Sequence, residues 1–331
     1  MSVSRNPSDA VAAVPPRCFL TVAVSSRCLF DLDADDAIYR EHGLDAYVNA
    51  QLKRIDEPLS PGPAFPLLRA MLALNTPGDE VVRAVVASGQ HPFMGMRVMT
   101  SARHHGLEMR SAAFTGGQSP VPYLSALETD LFLTRNSDDA QAALDAGIAA
   151  AVLGPLAPFW KEDEDGPLRV ALDGDAVIFS DACEAVSKRD GLEAFYERQG
   201  RLINEPMADG PFAGFLRGLH ALRMRRPGRV RISLVTARNS VGADRALRTL
   251  MAWGVQPDDA FFMGGLSKGG IIRALRPHIF LDDAERHVKD CTEHAPSGRV
   301  PYLTIGELAR LSASDREAAG TAAPDNSAIL R

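Results

Sequence analysis

Several features are scarce in this 331-residue chain, and each scarcity removes a class of protein. The four cysteines, Cys18, Cys28, Cys183 and Cys291, lack the paired spacing of a zinc site or a disulfide framework, so reduced thiols in a cytoplasmic setting are expected. No apolar run approaches the about 18 residues that a membrane helix needs. The opening MSVSRNPSDAVAAVPPR has no basic start followed by an apolar stretch, so it does not read as a secretory leader. Clusters of Lys and Arg free of nearby acids are also missing. With 36 Lys+Arg against 42 Asp+Glu, the formal charge is −6 and the pI near 5.8, which excludes a surface built to neutralise a nucleic-acid backbone. A small anionic substrate would need a local basic pocket; a homo-oligomer stays open.

What is present is enough apolar sequence, 46% against 24% charged residues, for two ordinary cores. Residues 1–16 and 311–331 are small, polar and Ala/Pro-rich, and are predicted to be disordered tails. Between them the chain is written twice. LDAYVNAQLKRIDEPLSPGPAFPLLRAMLAL from Leu44 matches LEAFYERQGRLINEPMADGPFAGFLRGLHAL from Leu192, an offset of 148 without a gap. Glu57/Glu205, Pro58/Pro206, Gly62/Gly210, Gly106/Gly254, Gly117/Gly265 and Phe132/Phe280 keep that offset. From Val22–Leu74 against Val170–Leu222, about a third of positions are identical, and turn residues coincide as well as apolar ones.

Each copy reads as an apolar strand (LTVAV; LRVAL), helical stretches, a second strand (VVRAVVAS; RVRISLVTA), a helix, a Gly-Gly turn, a helix and a further strand (DLFLT; HIFLD). Such alternation predicts an α/β fold of two tandem doubly wound halves, 17–153 and 168–310, joined by the Pro- and acid-rich linker 154–167. Ligands of such sheets sit beyond the carboxyl ends of the strands.

Four groups stand at successive strand ends of the second copy. After LRVAL come Asp173, Gly174 and Asp175, two carboxylates one residue apart that a loop can aim at one phosphate and one metal. After SLV come Thr236, Ala237 and Arg238, a hydroxyl and backbone N–H groups suited to an anion. Lys268 follows the turn containing Gly265 and can bring a positive charge to a phosphate. HIFLDD then supplies Asp282 and Asp283, oxygen ligands for a hard cation. Alone, each group reads as a helix cap, an exposed lysine or a solvated acid. Together, in this order, they point to phosphoryl chemistry, with Gly174, Ala237, Arg238 and Gly265 as the substrate-contacting positions.

This order of motifs resembles the signature of the haloacid dehalogenase superfamily. Within it, VSSRCLFDL, DEPLSPGPAFPLL, FTGGQSP, ALDGDAVIFSD, LVTAR, FFMGGLSKG and HIFLDD resemble the class I cytosolic 5′-nucleotidases, across nearly all of residues 19–295. The resemblance implies a Rossmann-like fold and hydrolysis of nucleoside 5′-monophosphates, AMP foremost, through an aspartyl-phosphate. Asp173 is then the nucleophile and Asp175 the general acid/base, with Thr236 and Lys268 holding phosphoryl oxygens. Asp173, the backbone carbonyl of Asp175 and Asp282 are the implied Mg²⁺ ligands, with Asp283 in direct or outer contact.

At the same offset the first copy carries Ser25, Arg27, Ser88, Pro120, Thr134 and Arg135 in place of these groups, so it is read as a degenerate half without the reaction. Its expected role is to cover the active half; the alternatives are a regulatory nucleotide site or completion of the pocket, with Arg27 then the substrate-binding residue. DLDADD, Asp31 to Asp36, imitates a metal loop but lies past the strand-end slot and reads as a solvated helix start. Phe65, Phe114, Phe212 and Phe262 are base-stacking or core residues. Two rivals stand beside the nucleotidase reading: a phosphatase for another small ester, and a nucleotide-sensing binding protein, against which the intact Asp173, Asp175, Lys268 and Asp282 weigh.

Overall fold

A computed structural model describes residues 20–161, 166–308 and 310–311. Of the predicted tails, 1–16 and 311–331, all but Leu311 lie outside the described residues, as do Cys18 and positions 162–165 of the linker; Leu311 is half-buried in a helical turn. Among the described residues there are ten strands: β1 (Leu20–Val24), β2 (Val82–Ser88), β3 (Ser111–Phe114), β4 (Leu131–Thr134), β5 (Ala149–Leu153), β6 (Leu168–Leu172), β7 (Val230–Thr236), β8 (Asp259–Phe262), β9 (Ile279–Asp282) and β10 (Ser297–Arg299). The helices are α1 (Ser26–Leu29), α2 (Asp33–Lys53), α3 (Phe65–Leu72), α4 (Pro92–His104), α5 (Val121–Leu124), α6 (Ser137–Asp145), α7 (Ala182–Arg201), α8 (Ala213–Arg225), α9 (Ala243–Ala252), α10 (Gly269–Leu275) and α11 (Glu285–Thr292).

All ten strands belong to one sheet, in the order β3-β2-β1-β4-β5-β10-β9-β6-β7-β8. The fold is α/β and the sheet is parallel except at one joint. β1, β2, β4, β6, β7 and β9 fall on the six apolar runs read from the sequence. β3 and β8 are short and half-exposed, β5 is AAAVL and β10 is SGR, so these four carry no strand-like pattern. The strand starts Leu20/Leu168, Val82/Val230, Ser111/Asp259, Leu131/Ile279 and Ala149/Ser297 all repeat at the offset of 148, in the same spatial order within each half.

The joint is β5 against β10, antiparallel, pairing Leu153 with Gly298 and Val152 with Arg299. Instead of two sheets connected only by the linker, backbone pairing fuses the halves into one. Helices α3 and α8 cross-pack between them, α8 against β1 and α3 against β6. Just ahead of β2, Asp79 accepts from Arg225 and Arg226, which stand just ahead of β7; Arg226 also donates to the Leu74 carbonyl at 2.8 Å. The amino ends of β2 and β7 therefore meet, and the carboxyl ends of the two halves point away from each other.

The central strands are buried on both faces, as parallel strands covered by helices must be. Val22, Ala23, Val24, Leu131, Phe132 and Leu133 are fully buried in one half, and Leu172, Phe280 and Leu281 in the other. Around Phe280 a smaller cluster of Ala171, Val235, Ile272, Cys291 and Ala295 clamps α10 and α11 onto the sheet. Truncating Phe280 would cost about 3–5 kcal/mol by the usual penalty for a large core aromatic, and would loosen the helix that starts at Lys268. Helices α2 and α7 each bend at a glycine in a conformation closed to other residues, Gly43 (φ 79°, ψ −176°) and Gly191 (φ 86°, ψ 175°).

Candidate active site

In the second half β6 lies between β7 and β9, so connections leave β6 toward opposite sides of the sheet. In open α/β sheets ligands bind at such a switch point, which here lies beyond the carboxyl ends of β6 and β9. Asp173 directly follows β6 and is still in sheet register, its N–H donating to the Leu281 carbonyl at 2.9 Å. Asp282 ends β9 and Asp283 follows it. One ligand atom from each of Asp173, Asp282 and Asp283 lies within 4.8 Å of the others, and all three residues are buried.

Lys268 N-caps α10 and is fully buried, and its ammonium donates at 2.6 Å to Asp173 Oδ1 and at 2.6 Å to Asp282 Oδ2. Its loop is fixed from α11: Asp290 accepts from Ser267 Oγ at 2.6 Å and from the Gly269 N–H at 3.0 Å. Burial pulls the Lys268 ammonium toward neutrality, but the charges of Asp173 and Asp282 outweigh it and raise its pKa.

Three carboxylates against one ammonium leave excess negative charge in a place with little solvent. Burial pushes the Asp173 carboxyl up to about 7, partly offset by Lys268 and reinforced by Asp282. Burial and the charges of Asp173, Glu184 and Asp282 push Asp283 up to about 9, against the hydrogen bond from the Tyr302 hydroxyl at 2.7 Å. Burial acts on Asp282 too, but His287, with Nδ1 at 3.2 Å from both carboxylate oxygens, and Lys268 hold it below its ordinary value. Buried, oxygen-only and over-charged, the set fits a hard divalent cation better than a soft one.

Asp175 stands apart from this triad. Arg238 takes it in a fork, Nε to Oδ2 at 2.7 Å and Nη2 to Oδ1 at 2.6 Å. Thr236, at the end of β7, is buried with its Oγ1 accepting from the Arg238 N–H at 3.3 Å. Gly174 lets the two strand ends approach: a Cβ there would meet Thr236 Oγ1 at 3.3 Å. The turn after β8 is bonded to the same loop, Gly264 N–H to the Arg238 carbonyl at 2.9 Å and Gly265 N–H to the Ala237 carbonyl at 3.2 Å.

Asp173, Gly174, Asp175, Thr236, Ala237, Arg238, Gly265, Lys268, Asp282 and Asp283 are thus brought to one end of the second half. Arg238, expected at the substrate, is spent on Asp175 and buried. Arg27 is not brought there. It sits beyond the carboxyl end of β1, at the far-pointing end of the other half, and donates to Asp33 at 2.9 Å, as does Arg135 at 3.0 Å. The DLDADD segment does begin a helix, with Asp31 and Asp33 exposed as a solvated start requires; Asp33 is shared by two arginines, and Asp35 departs from that reading, buried and paired with Arg97 at 3.3 Å. Phe65 and Phe212 are core, and Phe114 and Phe262 pack on it.

His287, Tyr302, Asp290 and Gln199 escaped the sequence reading. His287 lies five residues past Asp282 on the first turn of α11, a spacing that could have flagged it. Tyr302 had no signal, because its place depends on where the chain leaves β10. It is held from the first half, where Gln141 on α6 donates to its carbonyl at 2.8 Å. Through α6, and not through Arg27, the first half supports the site.

Comparison with known proteins gives the family. A family model described as 5′-nucleotidase matches residues 13–306. Human cytosolic 5′-nucleotidase 1B is 35% identical over 301 residues, covering 86% of this chain and 49% of the relative, so the chain spans about half the length of that protein. A match running through both halves and past every strand-end group places the assignment beyond a shared fold: the chain belongs to the 5′-nucleotidase family.

Proposed function

We propose that this protein hydrolyses nucleoside 5′-monophosphates, with AMP the first substrate to test, through a phosphoryl group carried on Asp173. The carrying observation is the Lys268 ammonium bridging Asp173 and Asp282 at 2.6 Å each, in a buried cluster that also holds Asp283. An Mg²⁺ held by Asp173, Asp282, Asp283 and the Asp175 carbonyl would offset the repulsion between an anionic nucleophile and a phosphate dianion. Lys268 neutralises charge on the phosphoryl oxygens, and Thr236 with the N–H groups beyond it orients them. Asp173 attacks phosphorus as the bond to the 5′-oxygen breaks, and Asp175 gives that oxygen a proton. A water then attacks the phosphorus, leaving its proton on Asp175 and freeing Asp173 and phosphate.

The two halves are read as an internal duplication of a haloacid dehalogenase-like unit, supported by the offset of 148 shared by five pairs of strands. The first unit has kept the fold and lost the chemistry. A cytoplasmic location is inherited from the printed name of the human relative. The test is phosphate release from a panel of nucleoside monophosphates and other phosphate esters, with Mg²⁺ and with chelator. Asp173→Asn removes the attacking oxygen and should lower turnover by several orders of magnitude with the fold intact; near-normal turnover in that variant would sink the reading.

A further inference from the structure

We infer that Arg238 is a positioning residue for Asp175, setting the orientation of the proton-transferring carboxylate and tying it to α7. The inference rests on the phosphatase reading above and assigns a role that reading leaves open.

The fork engages both oxygens of Asp175, so two of the carboxylate's torsions are set by one rigid guanidinium. The guanidinium is itself held. Nη1 of Arg238 donates to Gln199 Oε1 on α7 at 3.3 Å and to the Gly242 carbonyl at 3.3 Å, and its plane lies near the Phe179 and Phe195 rings, 5.8 and 5.3 Å from their centroids. Arg238 is only 4% exposed, so it cannot exchange Asp175 for water.

The repeat supplies an internal control. At the offset of 148, Asp175 and Arg238 correspond to Arg27 and Gln90, neither of them a carboxylate, so this pair of positions cannot form the fork in the first half. Arg245 and Cys183 correspond to Arg97 and Asp35. Buried Arg97 meets the carboxylate of Asp35, whereas Arg245 meets Gln199 Oε1 at 3.3 Å, the Glu205 carbonyl at 3.0 Å and the Cys183 sulfur at 4.0 Å. Asp175 is therefore the one carboxylate in contact with Arg238 among the described residues, and no acid at position 183 competes for it. During turnover one oxygen must leave the fork to reach the 5′-oxygen; the other, kept on Arg238, aims it.

The experiment compares kcat and KM on AMP and on p-nitrophenyl phosphate, whose leaving group needs no proton. The variants are Arg238→Met, Arg238→Lys, Asp175→Asn and Arg238→Met/Asp175→Asn, each with its thermal midpoint. Arg238→Met should lower kcat on AMP about 10–100-fold, within the about 10²–10⁴-fold that general acid catalysis supplies. It should lower kcat on p-nitrophenyl phosphate by clearly less and leave KM nearly unchanged. Arg238→Lys should recover part of the loss, and it remains readable if the Met variant does not fold. The double variant should be no slower than Asp175→Asn alone. Equal losses on the two esters, or losses that multiply in the double variant, would make Arg238 structural and overturn the inference while the Asp173→Asn result still stands. An active Asp173→Asn would instead overturn the underlying reading.

Discussion

Lys268 is a lysine without solvent, and its position between Asp173 and Asp282 makes it serve two ends at once. It brings positive charge to where a phosphate would sit, and it compensates carboxylates that burial alone would neutralise. Removing one partner of a buried ion pair costs about 3–5 kcal/mol, because the other is left uncompensated. Lys268→Met should therefore lower both the thermal midpoint of the cation-free protein and turnover, and saturating Mg²⁺ should restore the midpoint more than the rate. A Met variant with unchanged midpoint in chelator would show that the carboxylates do not depend on the ammonium. Gly174 and Asp175 were legible as residue types at a strand end. The partner of Asp175 was not, since Arg238 is 63 residues away and its N-terminal position on a loop suggested substrate equally well.

At the scale of elements, α2 and α7 are equivalent helices bent at equivalent glycines, Gly43 and Gly191, and α7 is the one connected to Asp175, through Gln199 and Arg238. Neither glycine has a neighbour within 4 Å of an added Cβ, so alanine at either position is penalised by backbone conformation alone. That penalty is about 1–3 kcal/mol for this region of φ/ψ. Gly43→Ala and Gly191→Ala should both lower stability by that order in chemical denaturation. Gly191→Ala should also reduce turnover, because α7 carries Gln199 and Phe195 against Arg238; Gly43→Ala should not. A loss of turnover in both, scaled to stability, would separate α7 from the site.

Over the whole molecule the buried acidic cluster links folding to pH and to cations. Asp283 near 9 and Asp173 near 7 bind protons more tightly folded than unfolded, where a carboxylate titrates near 4. Their contribution to stability is thus fully present below about pH 4 and is lost as pH rises through about 4 to 9. Asp282, held low, acts in the opposite sense and only below about pH 4. A cation needs the carboxylates ionised, so its binding should expel protons. The thermal midpoint in chelator should fall from pH 5 to pH 9, and Mg²⁺ should flatten that fall. Calorimetric titration in two buffers of different ionisation heat should record proton release at pH 7. A flat midpoint with no proton release would mean the cluster is ionised without a cation.

The sequence by itself determined the repeat, six of the ten strands and the four groups at the strand ends. Apolar runs, turn glycines and a fixed offset are local or periodic signals, and a residue directly after a strand has little choice of where to stand. Tertiary structure decided what depends on adjacency between distant segments. β5 and β10, with AAAVL and SGR, join the halves through backbone hydrogen bonds that need no side-chain pattern, and that joint turns the two sets of carboxyl ends apart. Arg27 is thereby kept from the pocket, although its residue type and offset both suggested a role there. Tyr302 reaches Asp283 from beyond β10, held from α6 of the other half, and Arg238 turns inward to Asp175 because burial leaves its charge no other carboxylate to meet. Each of these outcomes follows from packing and charge compensation across the chain, and a sequence states neither until its elements have met.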